Sequence, residues 1–194
     1  MNDSRVAVAP DVFLATPRLA LRRFRASDAE SFAAYRADEE VARYQGWDSC
    51  SRGEAVSFID AQLARPSFEP GRWTQVAVEL AAEGALIGDC ALRMESAASR
   101  QAELGFTFAR GHQGRGFATE AVSHLLGYAF DRLGLHRIFA VADVRNVRAI
   151  ALAERVGMRR EGEFREAEWF KGEWTTTVLY ALLESESPRR TPPA

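Results

Sequence analysis

The sequence predicts an α+β domain with a mixed, mostly antiparallel sheet flanked by helices. Three strand patterns follow one another between residues 74 and 109, and a long helix pattern follows a glycine-rich segment at residues 110–116. Two further long strand patterns surround Lys171 and Gly172. Strands joined by short turns pair antiparallel, so the first three indicate a meander and the last two a hairpin.

The composition is typical of one globular domain. The chain has 194 residues, of which 47% are hydrophobic and 27% are charged, and this is enough to bury a continuous core. The 25 basic and 27 acidic side chains give a formal net charge of −2, which does not supply the positive field that nucleic acid binding requires. We expect an N-terminal extension over residues 1–13, a folded domain over 14–184 and a disordered tail over 185–194.

The N-terminus and the cysteines favour a cytoplasmic protein. The first residues carry acid and no sustained apolar stretch, so they resemble neither a signal peptide nor a membrane span. Cys50 and Cys90 lie in no Cys-x-x-Cys or Cys/His ligand spacing, so neither a disulfide nor a zinc site is predicted. We therefore expect free thiols in a reducing cytosol, and no metal or membrane partner.

The first half predicts one strand, two helices and the meander. In RLALRRFR, leucine alternates with other residues in the pattern of a half-buried strand. Ser27 with Glu30, and Ser51 with Glu54, fit the capping box, in which the serine and the glutamate cap a helix N-terminus reciprocally. Two helices are predicted at these boxes, and the strands TQVAVEL, ALIGDCAL and AELGFTFA follow.

The second half predicts a long helix, a strand, a second helix and the hairpin. Apolar residues recur at helical spacing after Gly116, and this stripe must pack on the sheet until Gly134 ends it. HRIFAVA is rich in β-branched and aromatic residues and predicts a strand. NVRAIALAERVG predicts a helix that Gly157 closes. MRREGEFREAEWF and EWTTTVLYALL predict the final hairpin.

The segment RGHQGRGFATEAV, residues 110–122, carries the clearest functional signal, since its three glycines directly precede a helix pattern. Amides from Gln113 to Ala118 would converge at the helix N-terminus, where unpaired N–H groups and the helix dipole favour a phosphate or diphosphate. Gly114 and Gly116 permit left-handed backbone angles and close approach of the anion. Nearby positive charge comes from Arg110, His112 and Arg115. The alternative is a glycine-rich turn that only joins strand to helix.

Two nucleotide-binding signatures fail at this segment. A P-loop needs Gly-Lys-Ser/Thr at the helix start, whereas Phe117 follows Gly116 here. The dinucleotide fingerprint lacks its third glycine, and the preceding strands do not form a βαβ unit. Neither a Walker-type nucleotide nor a dinucleotide is therefore predicted.

The residues QGRGFA, 113–118, resemble the Gln/Arg-x-x-Gly-x-Gly/Ala acetyl-CoA signature of the GNAT superfamily of N-acetyltransferases. The AELGF strand, the ATEAV helix start, LGLHRIFA, the Asn146 segment and the REAEWFKGEW hairpin are similar to its ribosomal-protein N-terminal acetyltransferase branch. The likeness covers roughly residues 14 to 184. It implies the GNAT fold, a sheet of roughly six to seven strands with a V-shaped split and about four helices. It also implies acetyl transfer from acetyl-CoA to an amine.

The resemblance further implies how acetyl-CoA would bind. The pantetheine arm would pair with the backbone of Phe106, Thr107 and Phe108 as an added strand, and the diphosphate would lie on the amides of residues 113–118. Asn146 would contact the pantetheine arm, although it also suits a helix N-cap. The implied cofactor-binding residues are Phe106, Thr107, Phe108, Arg110, Gln113, Gly114, Arg115, Gly116, Phe117, Ala118, Thr119 and Asn146.

Acetyl transfer needs a neutral amine, and an α-amine with a pKa of about 8 is only about a tenth neutral at pH 7. A base, or a water relay to one, is therefore useful. By resemblance the base is Glu168, with a solvated strand residue as the simpler interpretation. Glu103 is the second candidate, unless it only pairs with an arginine. Ala149 replaces a serine that related transferases carry as a proposed acid, so water or no acid would serve the leaving thiolate.

The acceptor pocket is expected, by resemblance, in the loop between the first two helices, around ARYQGW. Trp47 and Trp169 are candidate acceptor contacts, with core packing as the alternative, and Asp48 would attract a cationic amine. The favoured acceptor is a protein or peptide N-terminus. The alternative is a small amine such as an amino acid, a polyamine or an antibiotic. A non-catalytic acyl-CoA sensor is a second class of function, and the terminal hairpin allows a homodimer.

Overall fold

The protein, represented by a computed structural model that describes residues 11–187, is one sheet with helices on both faces. The strands are β1 Val12–Ala15, β2 Leu19–Arg22, β3 Trp73–Leu80, β4 Ala85–Met94, β5 Gln101–Phe108, β6 Arg137–Asp143, β7 Arg159–Phe170 and β8 Glu173–Leu183. The helices are α1 Ala29–Arg36, α2 Glu39–Ala42, α3 Arg52–Leu63, α4 Phe117–Asp131 and α5 Val147–Arg155. The sheet order is β1-β2-β3-β4-β5-β6-β8-β7.

The predicted α+β class is confirmed, but the counts of strands and helices were too low. Within the described residues the sheet has eight strands, not six or seven, because β1 pairs antiparallel with β2. It has five helices, not four, because the short helix α2 follows α1 and is capped by Asp38, which accepts the Glu40 amide at 3.0 Å. Both additional elements are four residues long, which is too short for a periodic pattern to show.

One of the two predicted capping boxes is present. The Glu54 carboxylate accepts the Ser51 amide at 2.8 Å, and the Ser51 hydroxyl accepts the Glu54 amide at 3.3 Å. The box predicted at Ser27 and Glu30 was wrong, because the N-cap of α1 is Asp28 and makes no side-chain cap. A 3-10 turn precedes the helix and shifts its start.

The sheet divides between β5 and β6, its parallel pair. The predicted meander is formed by β3, β4 and β5, and β8 pairs antiparallel with β6 and β7. β5 and β6 pair only over residues 101–103 and 137–139. Each strand continues beyond that point without the other, so the two diverge toward their carboxyl ends. This gap is the predicted V-shaped split.

Helices cover both faces of the sheet. Val76 and Val78 are buried in the cluster that contains the apolar stripe of α4, whereas Ala77 is buried with α1 and α3. Successive side chains of a strand point to opposite faces, so α4 lies on one face and α1 with α3 on the other. In the described part of the chain no helix is long and apolar enough to cross a bilayer.

The predicted termini fall mainly outside the described residues. The N-terminal extension, 1–13, is described only from residue 11, and β1 begins within it. The predicted tail is described only to residue 187, where a 3-10 turn, Glu184–Glu186, follows β8.

Candidate functional site

A cavity of about 1250 Å³ occupies the open end of the split. Its walls come from the end of β5, the glycine segment and the start of α4, the start of α5, and residues 40–45 around α2. Ligand pockets commonly measure about 300–1,000 Å³. The cavity therefore has room for a ligand of coenzyme size together with part of an acceptor.

The end of β5 presents backbone groups to this cavity. The backbone N–H and C=O of Thr107 point toward β4, so the backbone N–H and C=O of Phe106 and Phe108 point into the split. Their carbonyls accept side-chain amides, Phe106 from Gln45 Nε2 at 3.4 Å and Phe108 from Gln113 Nε2 at 2.9 Å. These backbone groups are the ones that a ligand adding to the strand would use.

The glycine segment has the geometry of an anion site. Gly114 and Gly116 have φ of 73° and 80°, in the left-handed region, and Gly116 is the N-cap of α4 without a side-chain cap. The Glu120 amide donates to the Gly116 carbonyl at 3.0 Å. Among the described residues, the amides of residues 114–119 have no acceptor in the chain. These N–H groups, at the positive end of the helix dipole, are free to bind an anion.

A network from the chain before β2 holds this segment in place. Arg18 donates from Nη1 to the Arg115 carbonyl at 3.1 Å and from Nε to the Glu120 carboxylate at 2.6 Å. The Thr16 hydroxyl donates to the same carboxylate at 2.6 Å. Burial opposes the ionisation of Glu120, but these hydrogen bonds outweigh it, and the pKa lies below its ordinary value of 4.5. A Cβ at Gly116 would lie 3.4 Å from Arg18 Nη2.

Guanidinium groups are the commonest charged groups of the cavity wall, although three of them pair with carboxylates. The lining includes five arginines and, within the described chain, one carboxylate: Arg43, Arg110, Arg145, Arg148, Arg155 and Glu40. Arg148 donates to Gln113 Oε1 at 3.0 Å and Arg155 to the Thr119 hydroxyl at 3.4 Å, which places both beside the glycine segment. Such a wall suits a phosphate-bearing ligand.

Most of the predicted cofactor-binding residues come together at the cavity. Those that line it are Phe106, Thr107, Phe108, Arg110, Gln113, Gly114, Gly116, Ala118, Thr119 and Asn146. The side chains of Arg115 and Phe117 do not. Phe117 is buried at 5% exposure, and the Arg115 guanidinium lies 5.0 Å from its ring centroid. These two residues can offer only their backbone amides.

Asn146 and Ala149 meet at the N-terminus of α5. Asn146 Oδ1 accepts the Ala149 amide at 3.2 Å, which confirms the N-cap interpretation. Both residues also line the cavity. The Ala149 methyl group has no proton to give, so the wall at this position contributes shape and not acid chemistry.

Neither predicted base lines the cavity. Glu103 pairs with Arg93 at 2.5 Å, at the closed end of the split where β5 still pairs with β6. The predicted arginine partner of Glu103 is therefore present. Glu168 is exposed on β7 opposite Thr175, directly after a bulge that begins at Phe164.

The predicted acceptor residues Trp47, Asp48 and Trp169 are not in the wall of the cavity. Trp47 Nε1 donates to the Arg36 carbonyl at 3.2 Å, and its ring lies 3.9 Å from the Arg36 guanidinium. Asp48 pairs with Lys171 at 2.9 Å, and Trp169 is 61% exposed on the hairpin. Trp47 thus packs on a charged side chain, and the charge of Asp48 has a partner within the chain.

The Arg36 guanidinium that stacks on Trp47 belongs to a buried ion pair with Asp89. Asp89 is 2% exposed, accepts the Tyr35 hydroxyl at 2.5 Å and lies 3.6 Å from the Arg36 guanidinium. The same guanidinium stacks on Phe32, 4.1 Å from the ring centroid. Burial raises the pKa of Asp89 above its ordinary value, although the Arg36 charge opposes the rise.

The side chains between residues 40 and 45 that line the cavity were not among the predicted site residues. The Tyr44 hydroxyl donates to the Arg145 carbonyl at 3.4 Å, across the split from the contact of Gln45 with Phe106. Both residues belong to the ARYQGW stretch, from which only the tryptophan and the following aspartate were selected. The resemblance of this stretch to the acceptor loop of the family was a signal for these residues. The residue pattern of the stretch itself did not show which of its side chains would face the cavity.

The split sheet, the bare amides and the basic wall form the arrangement that the resemblance to acetyl-CoA-dependent acyltransferases implied. A family model described as an acetyltransferase (GNAT) domain matches residues 18–159. The match covers more than half of the chain, so the chain belongs to the GNAT family of acetyltransferases and is an enzyme. Enzymes of this family use acetyl-CoA as the acetyl donor.

Two matches extend along nearly the whole chain. The uncharacterized N-acetyltransferase p20 of Bacillus licheniformis is 30% identical over 180 residues, which cover 89% of this chain and 97% of the relative. A crystal structure of a GNAT-family acetyltransferase from Bacillus anthracis is 27% identical, with a TM-score of 0.81 over 89% of this chain and 99% of that one. The GNAT fold is thereby confirmed.

Two further structures, both from Vibrio cholerae, differ in their acceptors. One, described as "a putative ribosomal-protein-serine acetyltransferase", is 27% identical, with a TM-score of 0.73 over 87% of this chain and 95% of that one. The other, a spermidine N-acetyltransferase in complex with CoA and spermine, is 25% identical, with a TM-score of 0.76 over 88% and 98%. The chain is thus similar to acetyltransferases with different acceptors.

Proposed function

We propose that this enzyme transfers the acetyl group of acetyl-CoA to the α-amine at the N-terminus of a protein or peptide, with both substrates bound together. The observation that supports this acceptor is the charge of the cavity wall, whose lining in the described chain has five arginines and one carboxylate, Glu40. Arg43, Arg110 and Arg145 pair with carboxylates, so the unneutralised positive charge of this lining belongs to Arg148 and Arg155. A polyamine carries several positive charges and needs several carboxylates, whereas guanidinium groups repel it. A peptide presents one amine, and its backbone can use the polar groups of the wall.

The proposed acetyl-CoA position follows the free polar groups of the split. The diphosphate would accept from the amides of residues 114–119, with Arg148 and Arg155 beside it. The pantetheine arm would run along β5 and pair with Phe106 and Phe108. It would then replace the side-chain amides of Gln45 and Gln113, which hold those carbonyls now. Left-handed glycines ahead of α4 and the volume of the cavity fit such a ligand.

Acetyl transfer by direct attack needs few catalytic side chains once the two substrates are aligned. The amine nitrogen forms a bond to the thioester carbonyl carbon, the carbon–sulfur bond breaks, and coenzyme A leaves as the thiolate. The amine gives up a proton to a base or to water. Since Ala149 has no proton to donate, the thiolate, with a pKa of about 8.5, leaves without an acid from this position.

For the base we propose Glu168, reached through water, ahead of Glu103. Glu103 is held by Arg93, at the end of the split where β5 still pairs with β6 and outside the cavity wall. Glu168 follows a bulge in which Glu166 has a φ of 48°. Bulges of this kind re-aim side chains next to active sites. Trp47 and Trp169 are proposed as rim contacts of the acceptor.

A small amine is the second candidate function, which the likeness to the spermidine N-acetyltransferase favours. The deciding experiment incubates the enzyme and acetyl-CoA with peptides that begin with Ser or Ala, with the same peptides blocked at the N-terminus, and with spermidine. We expect an acetyl mass shift on the free α-amine and none on the blocked peptides. Faster turnover of spermidine than of any peptide would overturn the proposal. Binding of acetyl-CoA without turnover of any acceptor would indicate a sensor.

A further inference from the structure

Lys171 is the only lysine in the sequence, whose other basic side chains apart from histidine are arginines. Its ammonium donates to the carbonyls of Ala42 at 2.9 Å and Trp47 at 2.7 Å, and it pairs with the Asp48 carboxylate at 2.9 Å. An ammonium group has three N–H donors, so each has an acceptor.

The backbone of Lys171 is strained. Lys171 and Gly172 form the two-residue turn between the paired Phe170 and Glu173, with φ of 48° and 87°. Turns with positive φ at both positions favour Asn, Asp or Gly at the first of them, because a longer side chain is unfavourable there. The turn itself therefore does not call for a lysine. The contacts of the ammonium group offset the unfavourable backbone conformation of Lys171.

The segment that Lys171 holds crosses the split. Residues 42–48, which we name the acceptor segment, reach β5 through the hydrogen bond from Gln45 to Phe106 and the end of β6 through that from Tyr44 to Arg145. Both of these hydrogen bonds are 3.4 Å long. The contacts of the ammonium are shorter and charge-assisted, and such bonds are the stronger ones. The hairpin turn is thus a stronger attachment of the segment than these two hydrogen bonds, and it adds to the contact of Trp47 with Arg36.

We propose that Lys171 is a positioning residue that latches the acceptor segment across the split and so sets the affinity for the acceptor amine. The inference rests on the proposed function, because it is there that the acceptor is placed on this side of the cavity. It also gives Asp48 a role, since its carboxylate belongs to the latch and does not meet the amine. The glycine segment lies apart from these contacts, and the acceptor segment touches the proposed acetyl-CoA path only through the weak hydrogen bond from Gln45 to Phe106. The latch should therefore have little effect on acetyl-CoA binding.

The first test measures the latch without any acceptor. Lys171→Asn removes the ammonium and places a residue in the turn that suits positive φ, so the hairpin stays folded. Hydrogen exchange followed by mass spectrometry should show faster exchange across residues 42–48, by about tenfold, with unchanged exchange across the glycine segment. Unchanged exchange across residues 42–48 would overturn the latch, whatever the acceptor of the enzyme is.

The second test measures acceptor binding with a short peptide that begins with Ser. Lys171→Asn should raise the KM for this peptide about tenfold, while kcat and the Kd for acetyl-CoA change by less than about twofold. An unchanged KM, or an equal loss in acetyl-CoA binding, would overturn the inference. If the peptide is not acetylated by the unaltered enzyme, the proposed acceptor fails, and the exchange result still decides the latch.

A double-mutant cycle identifies the partner. Asp48→Asn should produce a smaller effect of the same kind, because the two carbonyl acceptors remain. Lys171→Asn with Asp48→Asn should then behave as Lys171→Asn alone, since residues in one network do not act additively. Additive effects would show that Asp48 acts independently of the ammonium and would overturn its assignment to the latch.

Discussion

The two sides of the cavity are built in different ways. The cofactor side comes mainly from one continuous stretch, residues 106–119, with side chains of α5 beside it. It offers mainly backbone groups, which belong to β5 and to the segment with left-handed glycines. The acceptor side comes from distant parts of the chain, the α2 region, the β6–α5 connection and the terminal hairpin, joined by side-chain contacts. Backbone N–H and C=O groups are present in any sequence that keeps the fold, whereas a side-chain contact can be lost or gained by a single substitution. Donor binding is thus tied to the fold, and acceptor choice is tied to particular residues.

The largest effect is expected at the support of the acceptor side. Asp89→Ala leaves the Arg36 guanidinium buried without its carboxylate and should lower the free energy of unfolding by about 3–5 kcal/mol. Urea denaturation followed by fluorescence measures the change. Asp60→Ala, on the exposed face of α3, should change it by less than about 0.5 kcal/mol. Equal effects of the two variants would show that the buried pair does not stabilise this side.

The cofactor side should fail when its backbone is disturbed. Gly116→Val places a β-branched residue at a φ of 80°, close to Arg18, and should weaken acetyl-CoA binding about a hundredfold, or about 2.7 kcal/mol. Titration calorimetry measures the affinity. Gly111→Val is the matched control, because a Cβ there meets nothing within 4 Å and φ is not positive. Similar affinities for the two variants would contradict an anion site at Gly116.

If Glu168 on the hairpin is the base, replacing it should lower the rate of acetyl transfer without weakening acetyl-CoA binding. Glu168→Gln should lower kcat/KM for the peptide acceptor by about a hundredfold near neutral pH, because proton transfer to a positioned group contributes about 10²–10⁴-fold. The difference in kcat/KM between the variant and the unaltered enzyme should shrink as the pH rises, because the amine then becomes neutral without a base. Glu163→Gln, on the same strand, is the control. A parallel pH–rate profile for Glu168→Gln and the unaltered enzyme would exclude Glu168 as the base.

The smallest effect concerns the β6–α5 connection. A hydrogen bond from Arg145, outweighing burial, lowers the pKa of Asp143 below its ordinary value of 3.8. The stabilisation is therefore present above that value and is lost as the pH falls through the lowered pKa of the folded state. Because Arg145 is half exposed, Asp143→Asn should cost less than about 1 kcal/mol at pH 7. Its melting temperature should converge with that of the unaltered enzyme in acid, and a constant difference down to pH about 2 would contradict this.

Local patterns predicted the elements that carry the cofactor side. The helix pattern after Gly116 matched α4, which begins at Phe117, and AELGFTFA matched β5 to within a residue at each end. Periodicity, glycine and capping residues act over a few neighbours, so they can be recognised in the chain itself. The prediction failed where elements are short, since the four residues of β1 and of α2 complete no repeat.

The sequence by itself determined the order of the longer strands and helices, the family, and a continuous glycine segment suited to an anion, because each rests on short patterns of neighbouring residues. Only the tertiary structure decided which side chains reach the cavity. It turned Phe117 into the core and Gln45 toward β5, and it brought Lys171 to Trp47, 124 positions away. Contacts over such distances depend on how the sheet and its helices pack, and no local pattern of residues encodes them.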